Sequence, residues 1–450
     1  VNSSDSLPRL GRSGMVGDKP PVRIVHLGLG AFHRSHQAWY TQHAGDAAEW
    51  GIAAFTGRRP DAAEVLAAQD GVYTLVERSG SGDSFEVIGS IVEAVDGADA
   101  GRLAELVAAP STAIVTLTIT EAAYAADFSA AAVGAQPSTP LARLVTALAA
   151  RRDADAGPLA VVSCDNLADN GAVARRAVGA LAEALEPALA AWIDANVSFV
   201  STSVDRITPR TTEADVHAVA AACGYRDAAP VVTEPFHNWI LSGDFPAGRP
   251  RWEDAGAMFV DEIEPYENRK LWLLNGAHSL LAYAGQLRGH STVAEGLGDP
   301  QCRQAVEEFW DEAAAHLHGP DLRIPEYRAA LLERFGNSRI AHHLAQIAMD
   351  GSTKLRMRAL PVLAAQRAAG RSGDGAARMI AAWIAYLSST AEFQDPLADH
   401  IRQAKALDGD QRTAALLALL SPELATDPAF VSQIHRLQGP LGAMAAPAAH

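Results

Sequence analysis

The hydrophobic periodicity of the chain changes once, and that change constrains the architecture more than any other feature. From Val22 to about Arg206, short apolar runs alternate with helical stretches: VRIVHL (22–27), GIAAFT (51–56), AIVTLTIT (113–120), LAVVSC (159–164) and VSFVSTSV (197–204), with Ala/Leu/Glu-rich segments such as DAAEVLAAQ between them. Strands alternating with helices build βαβ units around a mainly parallel sheet. The segment YTLVERSGSGDSFEVIGSIVEAV (73–95) departs from this rhythm, because two strand-like runs flank a Ser/Gly turn, which predicts an inserted antiparallel hairpin. After Glu264 the spacing is almost wholly helical, from NRKLWLLNGAHSLLAYAGQL to QRTAALLALL (411–420). The Gly- and Pro-rich DFPAGRPRWEDAG (244–256) separates the two regimes. The expectation is an α/β domain over residues 21–255 and an all-helical domain over 260–435, with loose tails at 1–20 and 436–450.

Length agrees with two domains, since 450 residues exceed one ordinary core. The formal charge of −16 argues against nucleic acid or an anionic membrane as the main partner, because phosphate binding needs a positive footprint. Only three cysteines occur, Cys164, Cys223 and Cys302, with no C-x-x-C pair. That pattern fits a reducing cytoplasm and speaks against a disulfide scaffold or a cysteine-rich zinc site. The opening segment lacks the apolar centre of a signal peptide, and no apolar run is long enough to span a bilayer.

Four places carry chemistry. In VRIVHLGLGAFHRSHQAWY (22–40), a buried strand runs into Gly28 and Gly30, where backbone can approach a pyrophosphate, but His33 stands where a third glycine is usual. The residues alone leave a plain strand-to-helix turn equally open. FTGRRPD places Arg58 and Arg59 before Asp61 after the second strand, which leaves NADP open beside NAD. VVSCDN and STSVDR put Asp165, Asn166, Asp205 and Arg206 at the carboxyl ends of strands, where ligands of open α/β sheets collect and where turns and caps also use such residues. In ENRKLWLLNGAHSLLAY (267–283), Lys270, Asn275 and His278 fall within roughly 140° of arc on an α-helix at about 100° per residue. Among so many leucines the lysine is expected to have a lowered pKa, as a general base near neutral pH requires, with Asn275 and His278 as donors. A core helix with a snorkelling lysine is the alternative use of the same residues. Neither His33/His36 nor His342/His343 has the i, i+4 spacing of a helical metal site, and no G-x-S-x-G elbow is present, so no metal and no serine nucleophile are expected.

GLGAFHRSHQA, TLTITEAAY (116–124), SCDNLADNG (163–171), VDRITPRTT (204–212) and KLWLLNGAHS (270–279), in this order, resemble the mannitol dehydrogenase family of polyol and sugar-acid dehydrogenases. The resemblance spans about residues 22–435, and five motifs in register are far more specific than any one. It implies a Rossmann-type, mainly parallel sheet domain followed by an all-helical C-terminal domain, with a metal-independent active site in the cleft between them. In this family the dinucleotide turn is written G-x-G-x-F-H-R, so the missing third glycine is expected. Carried over motif by motif, the cofactor contacts fall on Gly28, Gly30, Ala31, Phe32, Thr118, Glu121 and Asn166, with Arg58 beside them. Lys270 matches the general base, Asn166 and Asn275 the oxyanion hole, and His278 the histidine that positions substrate. Val204, Asp205 and Glu267 match pocket positions, and Glu267 could relay protons from Lys270 to solvent.

The implied reaction is hydride transfer between NAD and a secondary alcohol of an open-chain hexitol or sugar acid, with D-mannitol and D-fructose first and D-mannonate and D-fructuronate second. QIAMDGSTKLRMR (346–358) is similar to the fructuronate reductase branch, with Gln346 where mannitol 2-dehydrogenases can carry an arginine. Arg356 stands at that pattern's proline and Trp272 where a basic residue is common. Arg356 or Arg358 could hold a carboxylate by a bidentate pair. A non-catalytic NAD(H)-binding sensor is the alternative from another class, in which the Lys270, Asn275, His278 and Asn166 set would have no use. The expected partner is a small molecule, with neither nucleic acid nor membrane, for a monomer or homodimer in the cytoplasm.

Overall fold

A computed structural model of the chain describes residues 7–13, 17–57, 59–124 and 139–442, and two compact units, Val1–Glu264 and Pro265–His450, divide the chain. The first is built on an eight-stranded sheet in the order β11-β10-β8-β7-β6-β1-β2-β5. Its strands are β1 (Val22–Leu27), β2 (Gly51–Phe55), β5 (Ile91–Val95), β6 (Ile114–Leu117), β7 (Leu159–Ser163), β8 (Val197–Asp205), β10 (Asn238–Ser242) and β11 (Met258–Phe259). All neighbours run parallel except β8 and β10.

The strands read as near-continuous apolar runs because both faces are covered. In β1, Val25 and Leu27 enter one core with Val115, Leu144 and Leu181, while Ile24 enters the other with Ile52, Tyr73 and Trp239. Period-two alternation thus serves two cores at once. The direction of winding reverses at β1, which has β2 on one side and β6 on the other. Ligands of such sheets bind outside the carboxyl ends of the strands at this switch point.

The hairpin is present as β3 (Tyr73–Ser79) and β4 (Gly82–Ile88), and β9 (Val231–Thr233) pairs parallel to β3 in a separate three-stranded sheet. The last part of the 73–95 run leaves the hairpin as β5 and extends the main sheet beside β2.

The amino-terminal segment departs from the expected loose tail. Leu10 is buried, its amide donates to the Arg226 carbonyl at 2.8 Å, and Arg12 donates to the carbonyls of Gly89 and Ile91 at 2.8 Å each. A short polar segment can be tied down by one buried guanidinium that serves several carbonyls, and composition does not reveal that. At the other end, helix Pro428–Gly442 runs into the segment expected to fray from residue 436. Residues 443–450 lie outside the described residues.

The second unit is helical and centres on Ala277–Leu287, of which every residue from Ala277 to Gly285 is buried. A helix that is buried all round belongs in the middle of a bundle. Pro300–Ala314 and Asp374–Ser389 pack against it.

Candidate active site

In the α/β unit the turn after β1 is fixed by steric necessity. Gly28 has φ +112°, and a Cβ there would lie 2.0 Å from the Thr118 carbonyl oxygen, so only glycine lets β1 and β6 end so close together. Gly30 differs: a Cβ would meet nothing nearer than the Gly28 carbonyl at 3.5 Å. The chain itself therefore does not demand glycine at position 30, whereas a pyrophosphate lying over the turn would. Helix α1 (Ala31–Ser35) begins here with half-buried Ala31 and Phe32, and no side chain caps it. Its first N–H groups are of the kind that anions satisfy.

His33 fills the third-glycine slot as packing. Its ring is buried and stacks on His26 of β1 with centroids 3.3 Å apart. His26 joins the Thr116 hydroxyl at 2.8 Å and the Thr118 hydroxyl at 3.0 Å, and Thr118 also donates to the Gly28 carbonyl at 2.9 Å. From His33 the network continues through Gln37 to His36, whose Nε2 meets the Asn238 carbonyl at 3.0 Å. Burial pushes His26 and His36 down to about 3, so both rings are neutral at physiological pH. Arg34 donates to the carbonyls of Ala229 (2.6 Å) and Gly30 (3.3 Å), behind the turn.

Gly28, Thr118 and Asn166 thus follow the adjacent strands β1, β6 and β7, and Val204 and Asp205 close the next strand, β8. The carboxyl edge of the sheet gathers these expected contacts. Asn166 is exposed, and Val204 and Asp205 are buried. Asp165 has a different occupation: it accepts from the Thr120 amide at 2.8 Å and from the Tyr124 hydroxyl at 2.7 Å, holding the segment after β6. Burial raises its pKa against these hydrogen bonds. Arg206 is a brace as well, donating to the Ser35 carbonyl at 2.6 Å, the Glu234 carbonyl at 3.1 Å and the Glu77 carboxylate. Glu121 is exposed at the start of Glu121–Tyr124, and Arg58 lies outside the described residues.

In the helical unit the structure corrects the expected helix geometry. Helix α2 (Glu264–Arg269) passes into a π-helix, Lys270–Gly276, before α3 (Ala277–Leu287) resumes α geometry. An i→i+5 ladder widens the turn and brings residues five apart nearer one face. Lys270 and Asn275 are five apart, so the roughly 140° that separates them on an α-helix is narrowed. Both are half-buried, as is Glu267 one turn earlier, whereas Leu273, Leu274 and Gly276 are buried.

His278 follows in α3, buried and edge-on to His342, with ring centroids 4.8 Å apart. Its Nε2 and the Nδ1 of His342 are buried without a hydrogen-bond partner among the described residues, as is the Trp272 indole N–H. Burial, reinforced by His342, Arg334, Arg358 and Lys354, holds the pKa of His278 well below the usual imidazole range. His342, half-buried and beside Arg334, is pushed down to about 4 by desolvation. Sequence spacing had singled out His342 only as a metal candidate; nothing local announces that it meets His278.

The two arginines separate. Arg356 is exposed and donates to the Leu419 carbonyl, so the expectation that it holds a carboxylate gives way to a helix-capping role. Arg358 is half-buried, and its Nη1 donates to the Asn275 carbonyl at 3.2 Å and the Ser279 hydroxyl at 2.9 Å. Gln346 lies exposed on the short helix Leu344–Ile347.

With this geometry in place, two family profiles match: "Mannitol dehydrogenase Rossmann domain" over residues 22–254 and "Mannitol dehydrogenase C-terminal domain" over 262–438. The chain is 37% identical over 432 residues to the D-mannonate oxidoreductase of Escherichia coli K12, covering 88% of each chain. A mannitol 2-dehydrogenase from Pseudomonas fluorescens, solved as a ternary complex with NAD and D-mannitol, superposes with a TM-score of 0.76 at 34% identity, covering 97% of this chain and 94% of that one. A substrate-free D-sorbitol dehydrogenase superposes with a TM-score of 0.88 at 29% identity, over 96% of each chain.

Proposed function

We propose, for a chain that belongs to the mannitol dehydrogenase family, that it is an NAD-dependent polyol dehydrogenase transferring hydride between the nicotinamide and a secondary alcohol of an open-chain hexitol or sugar acid. The observation that carries the reading is the wide turn that brings Asn275 toward the face of Lys270, one turn before a neutral His278 whose Nε2 has no protein partner among the described residues. A buried polar atom left unpaired costs about 1–3 kcal/mol, and a substrate hydroxyl would remove that cost.

Gly28, Gly30, Ala31, Phe32 and, after β6, Thr118 would hold NAD, which when bound would supply the hydride acceptor. Lys270 takes the hydroxyl proton as general base. Asn166 and Asn275 donate to the oxygen as it gains negative charge, which is where preorganised donors act most strongly. His278, held neutral, fixes the orientation of a neighbouring hydroxyl, and Glu267 passes the proton from Lys270 toward solvent. Val204 and Asp205 line the substrate side.

D-mannitol with D-fructose is the first substrate pair. D-mannonate with D-fructuronate is the second, favoured by Gln346 and by the likeness to a D-mannonate oxidoreductase. The unpaired Cys164, Cys223 and Cys302 suit a cytoplasmic setting. Loss of NADH absorbance with fructose or fructuronate decides between the pairs. Oxidation with fructose alone establishes the mannitol type, oxidation with fructuronate alone the sugar-acid type, and binding of NADH with turnover of neither, or of any related polyol, overturns the enzyme reading in favour of a sensor.

A further inference from the structure

The π-helix Lys270–Gly276 is held from outside. Two of its carbonyls accept hydrogen bonds from side chains on other helices: Leu273 from the Trp310 indole at 2.7 Å, and Asn275 from Arg358 Nη1 at 3.2 Å. Trp310 is fully buried in helix Pro300–Ala314. Its neighbour Phe309 abuts the same turn, since a Cβ on Gly276 would come within 2.5 Å of the Phe309 ring. Arg358 ends helix Gly351–Arg358 and reaches Ser279 at 2.9 Å with the same nitrogen. Burial lowers its pKa to about 10, against the favourable field of the Tyr283 hydroxyl.

A guanidinium spent on a backbone carbonyl in an apolar setting is expensive to bury, so its placement calls for a function that the carbonyl itself needs. The carbonyls of a π-helix are displaced from their α-helical partners, and outside donors stabilise that displacement. Were the segment to relax to α geometry, Lys270 and Asn275 would again diverge by about 140°.

We propose that Arg358 and Trp310 are positioning residues for the reaction: they hold the wide turn that keeps Asn275 toward the face of Lys270, and neither touches substrate. The inference rests on Lys270 and Asn275 being the reacting pair. It replaces the expectation that Arg358 binds a substrate carboxylate.

The test is steady-state kinetics of Trp310→Phe, Arg358→Gln and the double variant, with Lys270→Ala alongside, each checked for folding by circular dichroism and for NADH affinity. Misplacing a reacting group by about 1 Å can lower the rate a hundredfold. Each single variant is expected to lose about tenfold to a hundredfold in kcat, with KM for the sugar within about threefold and a displaced pH profile of kcat/KM. The double variant is expected to lose less than the product of the two, because both act on one turn. Unchanged kcat and pH profile in folded variants, even with lowered thermal stability, overturns the proposal and leaves the two side chains a purely structural role. A rise in KM for fructuronate alone in Arg358→Gln also overturns it and returns Arg358 to substrate. If Arg358→Gln does not fold, Trp310→Phe, which keeps an aromatic ring in place, decides by the same readouts. Full turnover by Lys270→Ala removes the underlying reading as well, and so is distinguishable from failure of the braces alone.

Discussion

The turn after β1 and the surroundings of α3 both gather histidines and both lie where ligands are expected, yet they use most of their polar atoms differently. Around β1, His26 and His36 use both ring nitrogens inside the protein, Arg34 and Arg206 are committed to backbone carbonyls, and His33, stacked on His26, keeps only its Nε2 without a partner among the described residues. Around α3, His278 Nε2, His342 Nδ1 and Trp272 Nε1 are buried with no protein partner among the described residues. The first region spends most of its polar groups on holding a glycine turn. The second leaves them open, and open buried donors are what a hydroxylated substrate would satisfy. The contrast teaches that the conspicuous H-R-x-H of the sequence is architecture, whereas the chemistry lies with a single histidine in a leucine-rich helix.

The largest effect should come from the open region. Lys270→Ala is expected to lower kcat by about 10²–10⁴-fold with folding and NADH affinity retained; turnover within about tenfold of wild type would remove the general base from the account. His278→Asn should cost less, about tenfold to a hundredfold in kcat/KM, as expected for the loss of one buried hydrogen bond to substrate. Comparable losses from His36→Asn without destabilisation would erase the distinction between the two regions.

In the closed region the effects should be on stability. Arg206→Met removes a buried cation that serves two carbonyls and Glu77, and should lower unfolding free energy by about 3–5 kcal/mol in urea titrations. Acid should act there too. His26 and His36 have folded-state values of about 3, against about 6.5 unfolded. Their neutral forms therefore contribute stability that is complete above about pH 6.5 and is lost as pH falls toward 3, with a slope near 1.4 kcal/mol per pH unit for each ring. Urea midpoints of wild type and His36→Gln across pH 7 to 4 test this, since the variant should show the shallower decline. The smallest effect is expected from Arg356→Ala: within about 0.5 kcal/mol in stability, and no change in KM for fructuronate.

Much of this was legible in the sequence because it is local. Strand runs of four to nine residues and a single change of period are enough to place a doubly wound sheet ahead of a helical unit. Gly28 and Gly30 mark their turn because backbone conformation and close approach are local needs. What was not legible depends on distant partners. The π geometry of Lys270–Gly276 is tied to Trp310 and Arg358, whose positions lie far along the chain, so a uniform 100° per residue misplaced Asn275. Arg356 and Arg358 looked equivalent in the motif, but residues two apart on a helix point about 200° away from each other, and only Arg358 reaches the wide turn. The docking of Leu10 rests on the Arg226 carbonyl and that of Arg12 on the carbonyls of Asp70, Gly89 and Ile91, which no local pattern announces.

The central claim is hydride transfer from a polyol or sugar-acid carbon to NAD, and isotope transfer tests it most directly. D-mannitol deuterated at C2 and D-mannonate deuterated at C5 would each be incubated with enzyme and NAD, and the nicotinamide analysed by mass spectrometry. The account predicts one deuterium on the reduced nicotinamide from at least one of the two, and none from that substrate with Lys270→Ala over the same time. Tight binding of NAD with no label transferred from either compound would contradict it.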